Sequence, residues 1–216
     1  AGGAVTNMHE GFICTPFYPP HQFLESIIVD ETGKRFINED VYHGRLGSAI
    51  LDRPDGRYYL IIDSRHFKVL ERPPMGGYPV AGTGENIDEL ESELALPRGA
   101  LSTTLDTYNR HARAGEDPQC HKHAKYLTPL DQPPYAAFDL TVGNGGIFAT
   151  MTFGGLDTLP TGEVLSPDKT ILPGLYAAGR NSAGLPRCAE GYSSGMSIGD
   201  ATFFGRLAGL SAAMRT

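Results

Sequence analysis

The stretch "EGYSSGMSIGDATFFGRLAG", Glu190 to Gly209, decides how the end of the chain folds. Its second half is compatible with a helix, predicted from about Ser197 to Ala213. The apolar run before it, "ILPGLYAAGR" (Ile171 to Arg180), reads as a strand closing on small residues. Strand, glycine-rich loop and helix N-terminus together leave backbone N–H groups pointing outward, and glycine lets a ligand come close. That suits an anion or the polar edge of a ring. The same glycines suit close packing of helix on strand, and the pattern alone leaves both open. Tyr192, Ser193 and Ser194 lie between Gly191 and Gly195, placing a phenol and two hydroxyls where the helix begins.

Composition narrows the function. The 216 residues suffice for one large domain or two small ones, and 40% apolar with 20% charged residues is a globular profile. A net charge of -7 argues against a nucleic-acid or anionic-membrane surface. No apolar run approaches a membrane span, and no secretory signal is visible. Cys14, Cys120 and Cys188 are odd in number and far apart, which suits a reducing, cytoplasmic compartment rather than a disulfide framework. "CHKH" (Cys120 to His123) lacks a second ligand pair and reads as a surface loop, with no metal site expected. The first residue is not Met, so a fragment or processed piece is expected.

Local patterns place the remaining elements. "ESIIVDETGKRFINED" reads as a β-hairpin, with strands over Ser26–Val29 and Arg35–Asn38 around the turn "DETG". "RYYLIID" (Arg57 to Asp63) reads as a strand, and "ERPPMGGYPVAGTGE" as a loop. Residues 86–95 read as a helix capped by Asn86 and stopped by Pro97. A second helix carries Leu101, Leu105 and Tyr108 at helical spacing and ends at Gly115. "YAAFDLTV" (Tyr135 to Val142) reads as a strand. "FYPPHQF" (Phe17 to Phe23) reads as a turn-rich packing segment.

Several motifs in register carry a family resemblance. "TFGGLDTLPTGEVLSPDKTILPGLYAAGR" followed by "YSSGMSIGDATFFGRLAG" resembles the C-terminal half of flavoproteins of the fumarate reductase and 3-ketosteroid dehydrogenase superfamily. "GKRFINED", "IDELESELALPRGALSTTLDTYNRHARAGEDP" and "PPYAAFDLTV" agree in order and spacing. The resemblance implies an α/β fold with an α+β cap: a partial doubly wound FAD-binding domain plus a capping, catalytic domain. Residues 1–24 would end the first FAD-domain segment, 25–136 would form the cap, and 137–216 the C-terminal FAD-domain segment. The family's GxGxxG unit is missing. "GTGENI" lacks the third glycine and is expected to open a helix without a preceding strand. The AMP-binding half is therefore expected to be absent, and the chain alone to bind FAD poorly.

The resemblance also sorts the branches. Fumarate reductases grip a dicarboxylate with arginine and histidine, because carboxylates need cationic donors. Here the histidine position holds Met151 and the arginine position Tyr192, while "INEDVYHGR" offers His43 and then Arg45 for a cap arginine. Hydroxyls of Tyr42, Tyr192, Ser193 and Ser194 stand instead, and "FINEDVYHGR" with "GYSSGMS" resembles the enzymes that dehydrogenate C4–C5 of 3-ketosteroids. That implies catalytic roles for Tyr42, Tyr192 and Ser194. Tyr192 and a backbone N–H at Gly195 or Met196 would polarise the ketone. Ser194 and Tyr42 would remove the α proton, directly or as a relay. FAD, with N5 taking the β hydride, would meet Ser197 and Ile198 at its pyrimidine edge and Ala178, Gly179 and Arg180 near its ribityl chain. The implied substrate is a small apolar, steroid-like ketone, and the electron acceptor is unassigned. The alternatives are C1–C2 dehydrogenation, a dicarboxylate reductase, or a non-catalytic fragment of a flavoprotein. Residue by residue, Tyr192 also suits a packed core, Ser194 a turn, Arg45 a pairing with Glu39 or Asp40, and Asp200 a helix-dipole partner.

Overall fold

The run "YYLIID" is apolar at both alternate sets of positions, and the fold covers both faces of that strand. The structure, a computed structural model, describes residues 2–14, 24–52, 55–66, 79–144 and 149–215. The strands in chain order are β1 (Val5–Thr6), β2 (Gly11–Cys14), β3 (Ile27–Asp30), β4 (Tyr58–Asp63), β5 (Val80–Gly84) and β6 (Tyr135–Asp139). There follow β7 (Ala149–Thr152), β8 (Gly155–Leu156), β9 (Glu163–Leu165) and β10 (Ile171–Tyr176). The helices are α1 (His43–Leu51), α2 (Ile87–Glu93), α3 (Ala100–Ala114) and α4 (Met196–Met214), with 3-10 turns at Ala124–Tyr126 and Gly179–Asn181. Two compact units emerge: Cys14–Ala149, and Ala1–Ile13 with Thr150–Thr216.

The central unit is built on an antiparallel sheet in the order β3-β4-β6-β5. Side chains alternate across it. Ile27, Val29, Tyr59, Ile61 and Ala137 pack with Leu90, Leu94, Leu101, Leu105 and Tyr108 of the α2–α3 layer. Ile28, Tyr58, Leu60, Ile62 and Ala136 pack with Leu46 and Ile50 of α1. Each fully buried Leu or Ile here is worth roughly 1.5–3 kcal/mol.

The helix signals hold locally. Asn86 Oδ1 accepts the Glu89 N–H (3.0 Å), and Glu89 Oε2 accepts the Glu85 N–H (2.9 Å), a reciprocal cap that starts α2. Gly115 ends α3 at φ 77, where its N–H reaches the last carbonyls. Two expectations need correction. Residues 80–84, read as loop, are strand β5, so "GTGENI" does have a strand before its helix. A Cβ on Gly84 would lie 2.6 Å from the Leu90 nitrogen and 2.7 Å from the Asn86 carbonyl. The glycines that disguise this strand let α2 lie directly on it. The return strand Arg35–Asn38 is reduced to a bridge between Val29 and Arg35, and β3 pairs with β4 instead. The turn is as read: Asp30 Oδ1 accepts from Thr32 and Lys34.

Arg35 keeps that single bridge to Val29 and sends its side chain inside. Its guanidinium donates to both oxygens of Glu39 (3.0 and 2.8 Å) and both of Asp117 (3.0 and 2.9 Å). Lys122 Nζ lies 3.2 Å from Glu39 and donates to the Ser26 carbonyl. All four charged side chains are at most 2% exposed. Burial works against the charged form of Arg35, but Glu39 and Asp117 outweigh it and raise its pKa. "CHKH" is therefore not simply a surface loop, since Lys122 sits in this core. Burial pushes the neighbouring Cys120 thiol up to about 11, the unreactive direction. Cys120 and Cys188 are free thiols. Glu39 pairs with Arg35 and Lys122, and Asp40 accepts from Asn38 and the His123 amide. The strand read to Val142 ends at Asp139, whose carboxylate turns the chain by accepting from Thr141 and Asn144. "FYPPHQF" lies outside the described residues.

A second polar knot closes the end of β4. Asp63 accepts amides from Arg65, Asp131 and Gln132 (3.1, 3.2 and 3.1 Å). His66, 4% exposed, sits with Nδ1 2.9 Å from Asp63 and Nε2 3.2 Å from Glu25.

The terminal unit carries short two-stranded ribbons, β1-β8 and β9-β10 antiparallel and β2-β7, with one parallel bridge between Leu156 and Ser182. The last helix is α4, close to the predicted span. It seats on Gly162, whose backbone (φ 94) faces Ala208, and on Gly179, beside Ala201. Ile198, Phe203, Leu210 and Met214 of α4 remain exposed. Among the described residues no helix is long and apolar enough to cross a membrane.

Candidate active site at the start of the last helix

The loop before α4 is a tight turn because its own backbone closes it. Met196 N–H donates to Ser193 O (3.2 Å), and Gly199 N–H to Gly195 O (2.9 Å). Gly195 takes φ 95 as the N-cap, a conformation that side chains resist, and no side chain caps the helix. The first turn of α4 thus presents main-chain donors to its surroundings. A Cβ on Gly195 or Gly199 would meet nothing within 4 Å, so a planar ring can approach the backbone there.

Tyr192 is buried beside this turn. Its ring stacks on Phe153 (centroids 5.6 Å) and tilts against Phe12 (4.7 Å), with Phe12 and Phe153 themselves 6.2 Å apart. Ser197 Oγ donates to the Tyr192 hydroxyl at 3.3 Å. Ser194 is exposed, and Met196 is half-buried with its sulfur accepting the Ser193 N–H (3.3 Å). Sequence reasoning missed Phe12 and Phe153. Phe12 lies in the short strand β2 and Phe153 just past β7, and the packing joins residues 12, 153 and 192 across the whole chain.

The end of β10 arrives at the same place. Ala178 is extended, and Gly179 and Arg180 form the 3-10 turn that follows. Arg180 Nη1 donates to Thr152 O (3.1 Å). Gly179, Arg180 and Ser197 line one depression with Thr152, Phe153, Ser182, Gly184, Pro186 and Asp200. Asp200 is buried and accepts the Leu185 N–H (2.8 Å), pinning the loop over which Gly184 presses against its carboxylate. It therefore anchors structure in addition to facing the helix dipole. The geometry brings together Ala178, Gly179, Arg180, Tyr192, Ser194, Gly195, Met196, Ser197 and Ile198 within one unit. Tyr42 belongs to the central unit. There it is the N-cap of α1, half-buried, with its ring 4.3 Å from that of His43. Burial pushes the His43 imidazole below its ordinary pKa.

A strand end, an uncapped helix N-terminus open to a planar ring and a buried phenol make a donor set that fits a flavin. Unspent main-chain N–H groups match the acceptor-rich pyrimidine edge of an isoalloxazine. The chain belongs to the family described as FAD binding domain, which it matches over residues 1–195, and FAD is its cofactor. It falls in the fumarate reductase and 3-ketosteroid dehydrogenase superfamily. It is 31% identical over 189 residues to a fumarate reductase (cytochrome) of Shewanella frigidimarina, covering 87% of this chain and 32% of that protein. It is 30% identical to a 3-oxosteroid 1-dehydrogenase of Mycobacterium tuberculosis, covering 86% and 38%. A solved 3-ketosteroid-delta4-(5alpha)-dehydrogenase from Rhodococcus jostii RHA1, in complex with 4-androstene-3,17-dione, superposes with a TM-score of 0.82 at 37% identity. It covers 99% of this chain and 44% of that one. The chain thus spans less than half the length of each of these relatives.

Proposed function

We propose that this chain carries the substrate-facing part of a FAD-dependent dehydrogenase of 3-ketosteroids. The observation that carries the reading is Tyr192, a buried phenol packed with Phe12 and Phe153 in a three-ring cluster at the start of α4. A neutral donor beside an aromatic cluster suits a ketone on a hydrocarbon frame. A dicarboxylate would require cations. The resemblance to the Rhodococcus dehydrogenase supports the same reading.

In this mechanism Tyr192 O–H and the N–H of Gly195 donate to the ketone oxygen as it gains enolate charge, the Met196 N–H being given to Ser193 O. Polarisation acidifies the α C–H, and its proton passes to the hydroxyl of Ser194. The β hydrogen leaves as hydride, so two C–H bonds break and one C=C bond forms. FAD, when bound, supplies the hydride acceptor at N5. Main-chain N–H groups of Ser197 and Ile198 would hold the pyrimidine edge of the bound cofactor, and Ala178, Gly179 and Arg180 would lie on its ribityl side. Residues 25–136 serve as the cap, and 1–24 with 137–216 as FAD-domain segments.

The test is Tyr192→Phe in the FAD-loaded enzyme with a saturated 3-ketosteroid and an artificial electron acceptor. Turnover is expected to fall about a hundredfold or more with the flavin spectrum retained. Unchanged turnover removes Tyr192 from the chemistry. The rival dicarboxylate reading leans on Arg180, a cation at the same depression. Rapid fumarate reduction by a reduced dye, with no steroid turnover, would favour it.

A further inference from the structure

We infer that Ser197 is a positioning residue for Tyr192, a role separate from contact with the cofactor. The inference rests on Tyr192 being the ketone donor. The hydroxyl of Ser197 donates to the phenol oxygen at 3.3 Å. The main chain of Ser197 and its side chain thus have different work: the N–H belongs to the helix end, and the hydroxyl is spent on Tyr192.

The consequence follows from hydrogen-bond polarity. A phenol oxygen that accepts from Ser197 has its own O–H directed elsewhere, because donor and acceptor directions on one oxygen diverge. Accepting a bond also strengthens the bond it donates, since linked hydrogen bonds polarise one another. Phe12 and Phe153, 1% and 4% exposed, fix the ring plane, so rotation about the C–O bond is the remaining freedom of the phenol proton. Ser197 removes that freedom. The contact is long for O–H···O, as such bonds often are before substrate tightens them. The backbone turn closed by Met196 and Gly195 sets where Ser197 stands relative to Tyr192, five residues earlier.

The experiment uses the FAD-loaded enzyme with Ser197→Ala, Ser197→Thr, Tyr192→Phe and the double variant. Ser197→Ala is expected to lower kcat roughly fivefold to tenfold, the scale of one neutral hydrogen bond, with KM little changed. Ser197→Thr keeps the hydroxyl and is expected to restore most of the rate. In the Tyr192→Phe background the Ser197→Ala change should add nothing further, because its effect passes through the phenol. A second readout is independent of turnover. With tyrosine labelled by carbon-13 at Cζ, the resonance that disappears in Tyr192→Phe is expected to move in Ser197→Ala and return in Ser197→Thr. An unmoved resonance with unchanged kcat overturns the inference. So does an additive kcat loss in the double variant, which would assign Ser197 to the cofactor instead. If Tyr192→Phe turns over normally while the resonance still moves, the proposed catalytic role of Tyr192 fails and the positioning role fails with it, leaving only a structural hydrogen bond.

Discussion

Replacing Arg35 by Met tests whether the charged core of the central unit is held by that one guanidinium. Arg35 makes four charge-assisted hydrogen bonds, two to Glu39 and two to Asp117, with every partner at most 2% exposed. Methionine keeps similar bulk and removes all four. Glu39 then retains Lys122, and Asp117 retains only the amides of Cys120 and Lys122 (3.4 and 3.2 Å). Breaking a buried pair from one side costs about 3–5 kcal/mol, because a charge stays buried without compensation. In a chain of this size each kcal/mol moves Tm by about 2–4 °C, so the melting temperature should fall by roughly 6–20 °C. Scanning calorimetry of the FAD-loaded protein reads this directly. Burial pushes the Asp117 carboxyl up, but its bonds to Arg35 outweigh that and hold it below the usual range. The stabilisation is therefore complete above the ordinary Asp pKa of about 3.9 and is lost as pH falls through the lower folded value. Arg35→Met should flatten this acid limb as well as lower the plateau. A loss below about 1 kcal/mol, the scale of an exposed pair, would refute the reasoning.

Two further outcomes follow from the same unit. Gly84→Ala would drive a Cβ into the α2 backbone at Leu90 and Asn86, and should cost about 1–3 kcal/mol by calorimetry while speeding amide exchange in α2. For His66, burial disfavours the charged ring, but Asp63 and Glu25 outweigh burial and raise its pKa. Its stabilisation is complete below about pH 6.5 and is lost as pH rises through the raised folded value; His66→Gln should abolish that alkaline decline in Tm.

The parts of the fold that could be read from sequence are those whose signals are local. Asn86, Glu89 and Gly115 cap their helices through neighbours in the chain, and the span of α4 follows from the residues around Gly195. Strand β5 was hidden because Gly82 and Gly84 answer to a helix packed on them, not to strand propensity. The return strand after Gly33 shrinks to the one bridge at Arg35, whose side chain is committed to Asp117, 82 residues away. At the candidate site the same division holds. The turn from Tyr192 to Ser197 is written in consecutive residues, whereas the rings of Phe12 and Phe153 arrive from distant parts of the chain.

Strand β4 is buried at all six positions, and this changes how its alignment is chosen. In a sheet with one wet face, sliding by a single residue would drown every apolar side chain, so hydropathy forbids it. Here a slid β4 would still offer apolar groups to both layers, and greasiness alone gives little discrimination between the right alignment and its neighbour. The choice falls to the two ends. Thr141 Oγ1 receives the Tyr58 N–H at one end, and the Asp63 carboxylate receives the Asp131 and Gln132 amides at the other. These few polar latches work as a vernier, making a one-notch error visible to the folding chain where oil cannot.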